Sequence, residues 1–276
     1  MSDTRTVVVT GASTGIGRAT ALHLRSRGFQ VIAGVRREQD GAELTAAGIE
    51  LALIDVTDAA SIASAAKQLG DRPLAGLVNN AGVAIGGPLE FLPIDRLRQQ
   101  LEVNVIGLVA TTQAMLPALR RGTGRIVNIG SVGGRVAAPF VGPYHASKHA
   151  VEAITDSLRQ ELAPWGLHVV VVEPGAVSTP IWSKGSEQVK EAREILPPEA
   201  YDKYGRMMDS FDGIMQRMDR MGIEPVKVAE VVERALTTSR PRPRYLVGND
   251  AKMQVALKTV LPTRVLDAAT RKLLGS

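Results

Sequence analysis

The chain has 276 residues, is 45% hydrophobic and carries a formal net charge of +5. It has no cysteine, which excludes disulfides, thiolate metal sites and a cysteine nucleophile. The length suits one large domain over residues 1–276 with a sizeable core. The charge is uneven: residues 240–276 hold eight Lys/Arg against two Asp, whereas residues 1–239 are nearly balanced. No aromatic interleaving or nucleic-acid motif accompanies that basic end, so no nucleic-acid partner is expected. The N-terminus runs straight into a strand pattern without the apolar core of a signal peptide, and no apolar run reaches the roughly 18 residues of a membrane span. A cytoplasmic protein is the expectation.

Thr6-Val7-Val8-Val9-Thr10 reads as a short strand buried on both faces. Gly11-Ala12-Ser13-Thr14-Gly15-Ile16-Gly17 follows at once, and a helical pattern then runs from about Ile16 to Gly28. Strand, glycine-rich turn and helix together form the context in which a backbone cradles a pyrophosphate. Gly11 allows the tight turn, Gly15 the close backbone approach and Gly17 the packing of helix on strand; Ser13, Thr14 and Ile16 complete the loop. The second strand, Gln30 to Val35, ends without the Asp or Glu that holds a ribose 2′-OH. Arg36 and Arg37 follow, either gripping a 2′-phosphate through charge-assisted bonds or forming a solvated basic strand end.

A third strand, Leu51 to Ile54, ends at Asp55-Val56, a candidate contact for an adenine edge. A fourth, Leu74 to Val78, ends in Asn79-Asn80-Ala81-Gly82, whose small residues suit backbone pressed against a flat ligand. Bracing of neighbouring strand ends is an equal alternative for the Asn side chains. The spacing predicts a long helix over about 95–120 that contains Asn104, a poor mid-helix residue that reads either as tolerated or as holding a kink or a water. Arg125 to Ile129 is the fifth strand and ends at Ser131.

The helix beginning near Pro143 carries Tyr144 and Lys148, four residues apart and so one turn apart on the same face. A phenol with a pKa of about 10 is a poor base at neutral pH. A nearby ammonium favours the phenolate and makes it a usable general acid/base. His168 to Val172 is the sixth strand, broken by Pro174-Gly175-Ala176-Val177-Ser178-Thr179-Pro180. Strands alternating with helices predict an α/β fold, a doubly wound parallel sheet.

In order and spacing these motifs identify the chain as resembling the short-chain dehydrogenase/reductase family over roughly residues 4–250. The resemblance implies hydride transfer between a nicotinamide cofactor and a carbonyl or secondary alcohol. It implies that Tyr144 exchanges the proton, Ser131 polarises the substrate oxygen, Lys148 holds the cofactor ribose and Asn104 keeps a water in the relay. The expected cofactor contacts are Gly11, Ser13, Thr14, Gly15, Ile16, Gly17, Arg36, Arg37, Asp55, Val56, Asn80, Ala81, Gly82, Tyr144, Lys148, Pro174, Gly175, Val177 and Thr179. NADP(H) is the expected cofactor, and no metal is expected. Gly130 to Gly134 ahead of Tyr144, together with Arg244 to Ala251, is similar to the hydroxysteroid (17-beta type) and retinol dehydrogenase branch. That branch implies a lipophilic, steroid- or retinoid-like substrate and a homodimer or homotetramer. A cofactor-binding regulatory or scaffold protein on the same fold is the alternative, though loss of Tyr144 or Lys148 would have marked it.

Residues of about 180–224 leave the core pattern. Tyr204, Met208, Phe211, Met215 and Met218 form a helical stripe, readable as core packing or as a lid over an apolar substrate. At the end of the chain, about 251–274, Pro262 divides two short basic amphipathic helices. Their apolar face is expected to close the substrate side of the domain, with membrane contact at most peripheral.

Overall fold

The structure is a computed structural model and describes residues 5–179 and 196–275. Seven parallel strands form one sheet in the order β3-β2-β1-β4-β5-β6-β7. They are β1 (Thr6–Val9), β2 (Gln30–Val35), β3 (Glu50–Leu53), β4 (Gly76–Asn79), β5 (Arg125–Ile129), β6 (His168–Pro174) and β7 (Arg244–Val247). The runs Val7-Val8-Val9 and Val169 to Val172 are buried throughout, because helices cover both faces of the sheet. Alternation decides which helix each residue meets. Val7 and Val9 pack with α1 (Gly15–Ser26) and α8 (Pro225–Thr237), while Val8 faces α3 (Ala59–Leu69) and α5 (Gly107–Arg121). The order reverses between β1 and β4, and that reversal opens a crevice at the carboxyl edge of the sheet. This is the expected doubly wound fold.

Two boundaries shift from the sequence reading. Leu74 precedes β4, and its N–H donates to Ala118 O at 3.0 Å instead of joining the ladder. The predicted long helix is α4 (Ile94–Leu101) and α5, joined by a π-turn over Glu102–Ile106 that contains Asn104. Such turns are rare and gather at functional sites. By length and composition alone, Ile94–Arg121 is long and apolar enough to cross a membrane, contrary to the estimate from apolar runs. Here its apolar side packs on the sheet through Met115, Ala118 and Leu119.

The remaining helices are α2 (Ala42–Ala46), α6 (Gly142–Leu162), α7 (Pro198–Met221), α9 (Asn249–Val260) and α10 (Thr263–Leu274). On α7, Met208 and Phe211 are buried in a small separate cluster with Phe140, Leu196, Ala200 and Leu274. Met215 and Met218 are only partly covered, and Met221 stands 84% exposed. The first part of the proposed lid, residues 180–195, lies outside the described residues. The expectation for the C-terminal helices is corrected in part. Ala251 and Leu274 are buried, but Met253, Leu257, Val260, Val265 and Leu273 face outward. Val255, Leu261 and Leu266 are half-buried and Leu274 packs into the α7 cluster, so the two helices cover the domain with part of their apolar residues and turn the rest outward.

Candidate active site

Ser131, Tyr144 and Lys148 converge where β5 ends. Pro143 in the first turn of α6 starts the helix without needing a backbone donor, and Tyr144 and Lys148 then sit one turn apart. All three side chains are buried. Ser131 Oγ accepts from Gly133 N at 3.0 Å, which fixes its rotamer, and hydrogen-bonds with Tyr144. Lys148 Nζ donates to Ile129 O at 2.7 Å and lies 5.8 Å from the centre of the Tyr144 ring. Burial lowers the Lys148 pKa to about 8, against an upward push from Glu152. It therefore remains mostly an ammonium at neutral pH.

The expected lowering of the Tyr144 pKa by Lys148 does not emerge in this geometry. Burial pushes the phenol up, and only the Ser131 hydrogen bond opposes it. Lys148 is turned onto the β5 carbonyl, and desolvation of the phenolate outweighs its influence.

Asn104 is joined to the same group by other bonds. Its Oδ1 accepts from Val83 N at 2.9 Å, and its Nδ2 donates to Val83 O at 3.0 Å and to Ser147 Oγ at 3.0 Å. Ser147 Oγ donates to Tyr144 O at 2.7 Å. The Asn104 side chain thus ties the π-turn to the catalytic helix. Gln100, fully buried one turn earlier, repeats the device by accepting from Ile85 N at 2.7 Å and donating to Val83 O at 2.8 Å. The sequence reading missed Gln100 and Ser147, although Ser147 lies inside the Tyr144–Lys148 spacing.

The glycine-rich turn fits a dinucleotide. A Cβ on Gly17 would lie 2.3 Å from Gly11 O, so the helix meets the turn closely only with glycine there. Gly11 and Gly15 take φ of +61° and +56°. Thr14 leaves the α1 N-terminus without a side-chain cap, and no acidic residue sits in the first turn. Open N–H donors and the positive end of the helix dipole together suit a pyrophosphate, with Ser13 and Ile16 flanking it. Asn80 proves to be a brace as well: its Nδ2 donates to Thr10 O and Gly11 O, both at 3.0 Å. Ala81 packs under Gly11, and Gly82 lies beside Asn104 Oδ1.

At the end of β2 the two arginines differ. Arg37 is engaged by Asp40 through two bonds of 2.9 Å. Arg36 has no hydrogen bond among the described residues and lies near enough to Asp55 to help hold its carboxyl below the usual range. The larger cause is Thr57, which donates to Asp55 Oδ1 from its hydroxyl at 2.7 Å and its N–H at 2.9 Å. Val56 is buried against Gly107, at the edge of the same crevice.

The loop after Pro174 is held from two sides. Ser178 N donates to Ile223 O at 3.0 Å and Val177 bridges to Ile223, while Gly175 N donates to Val247 O at 2.9 Å and Ala176 N to Asp250 Oδ2 at 2.7 Å. Thr179 is buried at its far end. The structure therefore gathers the glycine-rich turn, Arg36, Asp55, the β4 end, the β5–α6 group and the Pro174 loop at one sheet edge.

The profile of the short chain dehydrogenase family matches residues 5–190. Mouse retinol dehydrogenase 5 is 39% identical over 275 residues, covering 95% of this chain and 86% of its own length. The 17-beta-hydroxysteroid dehydrogenase type 6 of Bos taurus is 38% identical, covering 95% of this chain and 86% of its own length. An NADPH-dependent 3-dehydrocapnine reductase from Ornithobacterium rhinotracheale is 35% identical, covering 95% of both chains. Among solved structures, a short-chain dehydrogenase from Streptomyces avermitilis superposes with a TM-score of 0.77 at 31% identity, covering 99% of this chain and 96% of its own.

Proposed function

Because the chain belongs to the short-chain dehydrogenase/reductase family, in its retinol and 17-beta-hydroxysteroid dehydrogenase branch, we propose that it is an NADP(H)-dependent enzyme interconverting a lipophilic secondary alcohol, or a retinol-like alcohol, and its carbonyl. Its membership makes it an oxidoreductase of CH–OH groups that binds a nicotinamide cofactor and a small-molecule substrate. The proposal that it turns over substrate is carried by one observation: Ser131, Tyr144 and Lys148 are buried together at the end of β5.

The nicotinamide, when bound, donates or accepts the hydride. In the reducing direction Tyr144 Oη gives its proton to the carbonyl oxygen, and the burial that keeps the phenol protonated favours this role. Ser131, fixed by Gly133 N, hydrogen-bonds the same oxygen as negative charge grows on it. Lys148 releases Ile129 O to hold the cofactor ribose, and its charge then stabilises the phenolate left on Tyr144. In oxidation the alcohol gives its proton to the Tyr144 phenolate, the form that the Lys148 charge stabilises.

Two features support NADP(H) over NAD(H): β2 ends in Val35 rather than an acid, and Arg36 has no competing hydrogen bond among the described residues. The apolar cluster of Phe140, Met208 and Phe211, four residues before Tyr144 at its nearest, supports a lipophilic substrate. The test is oxidation of NADPH and NADH with retinal, steroid ketones and long-chain ketones, alongside fluorescence titration of both cofactors. The expectation is turnover of at least one lipophilic carbonyl and NADPH binding about tenfold or more tighter than NADH. Equal or tighter NADH binding overturns the cofactor assignment. Binding without turnover of any of these carbonyls returns the chain to a regulatory or scaffold role.

A further inference from the structure

Glu152 follows Lys148 on α6 by the same four residues that separate Lys148 from Tyr144, so the three buried side chains form one row. Two glycines let that row close onto the end of β5. A Cβ on Gly134 would sit 3.1 Å from Glu152 Cγ and 2.9 Å from Lys148 O, and one on Gly130 would sit 3.2 Å from Glu152 Oε1. Gly130 stands between Ile129, whose carbonyl holds Lys148 Nζ, and Ser131. Glu152 Oε1 is thus a buried acceptor with no donor among the described residues, set against the turn that carries the catalytic group. Its partner oxygen lies 3.1 Å from Arg244 Nε, and β6 brings the fully buried Glu173 alongside.

Charge on this acid reaches Lys148. Burial draws the lysine down and Glu152 is the group that opposes it, leaving Lys148 at about 8. The Glu152 carboxyl is itself pushed up to about 8. The acid pair and the lysine therefore titrate in one range. A proton lost from the acids adds a negative charge one turn from Lys148 and so favours its ammonium. Burial moves the Tyr144 phenol upward, which leaves Lys148 to set the alkaline limit of the site. The other charges around the pair are Arg135, 3.4 Å from Glu173 Oε1, and Asp156, which Arg244 and Arg159 hold. His145 is turned to Gly133 O and Asp250 to Ala176 N. We propose that Glu152 is a positioning residue for the reaction: with Glu173, and clamped by Arg244, it supplies the negative charge that holds Lys148 as an ammonium through the alkaline range. This role rests on the one given above to Lys148, which holds the cofactor ribose and stabilises the Tyr144 phenolate.

The test follows NADPH binding by fluorescence, and NADPH oxidation with a carbonyl that the parent reduces, from about pH 6.5 to about pH 9.5. The binding arm needs no substrate. Glu152→Gln keeps the shape of the side chain and removes its charge. It should move the alkaline limb of both profiles down by about one pH unit, which is about fivefold weaker NADPH binding at about pH 9 with near-parent binding at about pH 6.5. Glu152→Asp should recover most of the alkaline range. Glu173→Gln leaves the nearer carboxyl in place and should shift the limb less, in the same direction. Melting temperatures taken at each pH separate unfolding from lost binding. A Glu152→Gln profile that superimposes on the parent, while Lys148→Ala weakens NADPH binding, overturns the proposal and leaves the reading of Lys148 intact. A loss of equal size at every pH also overturns it, because Glu152 is then a packing residue only. NADPH binding indifferent to Lys148→Ala overturns both.

Discussion

Glu152→Gln should remove part of the pH dependence of folding. Glu152 lies one turn beyond Lys148 on α6, and Glu173 on β6 is fully buried beside it. The two carboxyls lie against each other, and Glu152 Oε1 and Glu173 Oε2 meet no donor among the described residues. Two carboxylates offer only acceptors, so this contact favours a proton on one of them. The charge that remains faces Arg244 on β7, whose Nε lies 3.1 Å from Glu152 Oε2 and 3.7 Å from Glu173 Oε1. Arg244 also holds Asp156, and Arg135 reaches Glu173 at 3.4 Å. Burial first, then Glu173, pushes the Glu152 carboxyl up to about 8 against the pull of Arg244.

The folded state therefore keeps a proton that the unfolded chain releases at the ordinary carboxyl value. Stability from the pair is complete below that value and is lost as pH rises toward about 8. One proton corresponds to about 1.4 kcal/mol per pH unit, so moving from about pH 5.5 to about pH 7.5 costs at most about 2.7 kcal/mol. Arg244 is 33% exposed, and solvent at its open side should reduce this to about 1–2 kcal/mol. For a chain of this size that is roughly 2–4 °C in Tm. The glutamine amide offers Glu173 a donor at any pH, so the variant should lose that much less over the same interval. Thermal melts of both proteins at the two pH values make the measurement. The same pH dependence in both would mean that the pair is fully ionised and that the shared proton does not exist.

Tyr144→Phe should lower turnover by about 10²–10⁴-fold with near-normal cofactor affinity, since only the phenolic proton is lost; substantial retained activity would remove Tyr144 from its role. Lys148→Ala should weaken both turnover and cofactor binding in the same assays. Asp250→Ala deletes the acceptor 2.7 Å from Ala176 N and should weaken cofactor binding about tenfold, read by fluorescence titration. Unchanged affinity would show that Val247 and Ile223 hold the loop alone. Hydrogen exchange should show the later part of α7, where Met215 and Met218 are half-buried, gaining protection on substrate binding; strong protection in the free protein would make the stripe ordinary core.

The parts of this fold legible in the sequence are those fixed by local pattern. A parallel strand covered on both faces leaves an unbroken apolar run, and β2 and β5 fall where such runs lie. The Tyr144–Lys148 spacing needs only helix geometry to bring the two side chains to one face. What was missed depends on contacts between distant segments. Asn104 could be seen as a misfit in a helix, but its partner Val83 is 21 residues away in the loop after β4. Asp250 bonds Ala176 across 74 residues, and no periodicity announces that. Glu173 did leave a signal: an acid inside the run Val169 to Val172 and Pro174 has no place in a buried strand without a compensating charge. That compensation comes from Arg244, which the sequence reading placed on a strand and in a branch signature but not beside Glu173. The amphipathic pattern of α9 and α10 gave the stripe but not its direction. Direction was decided by the two ties at Asp250 and Leu274, which anchor the ends of the segment, with Val255, Leu261 and Leu266 half-buried between them and Met253, Leu257, Val260, Val265 and Leu273 turned to solvent.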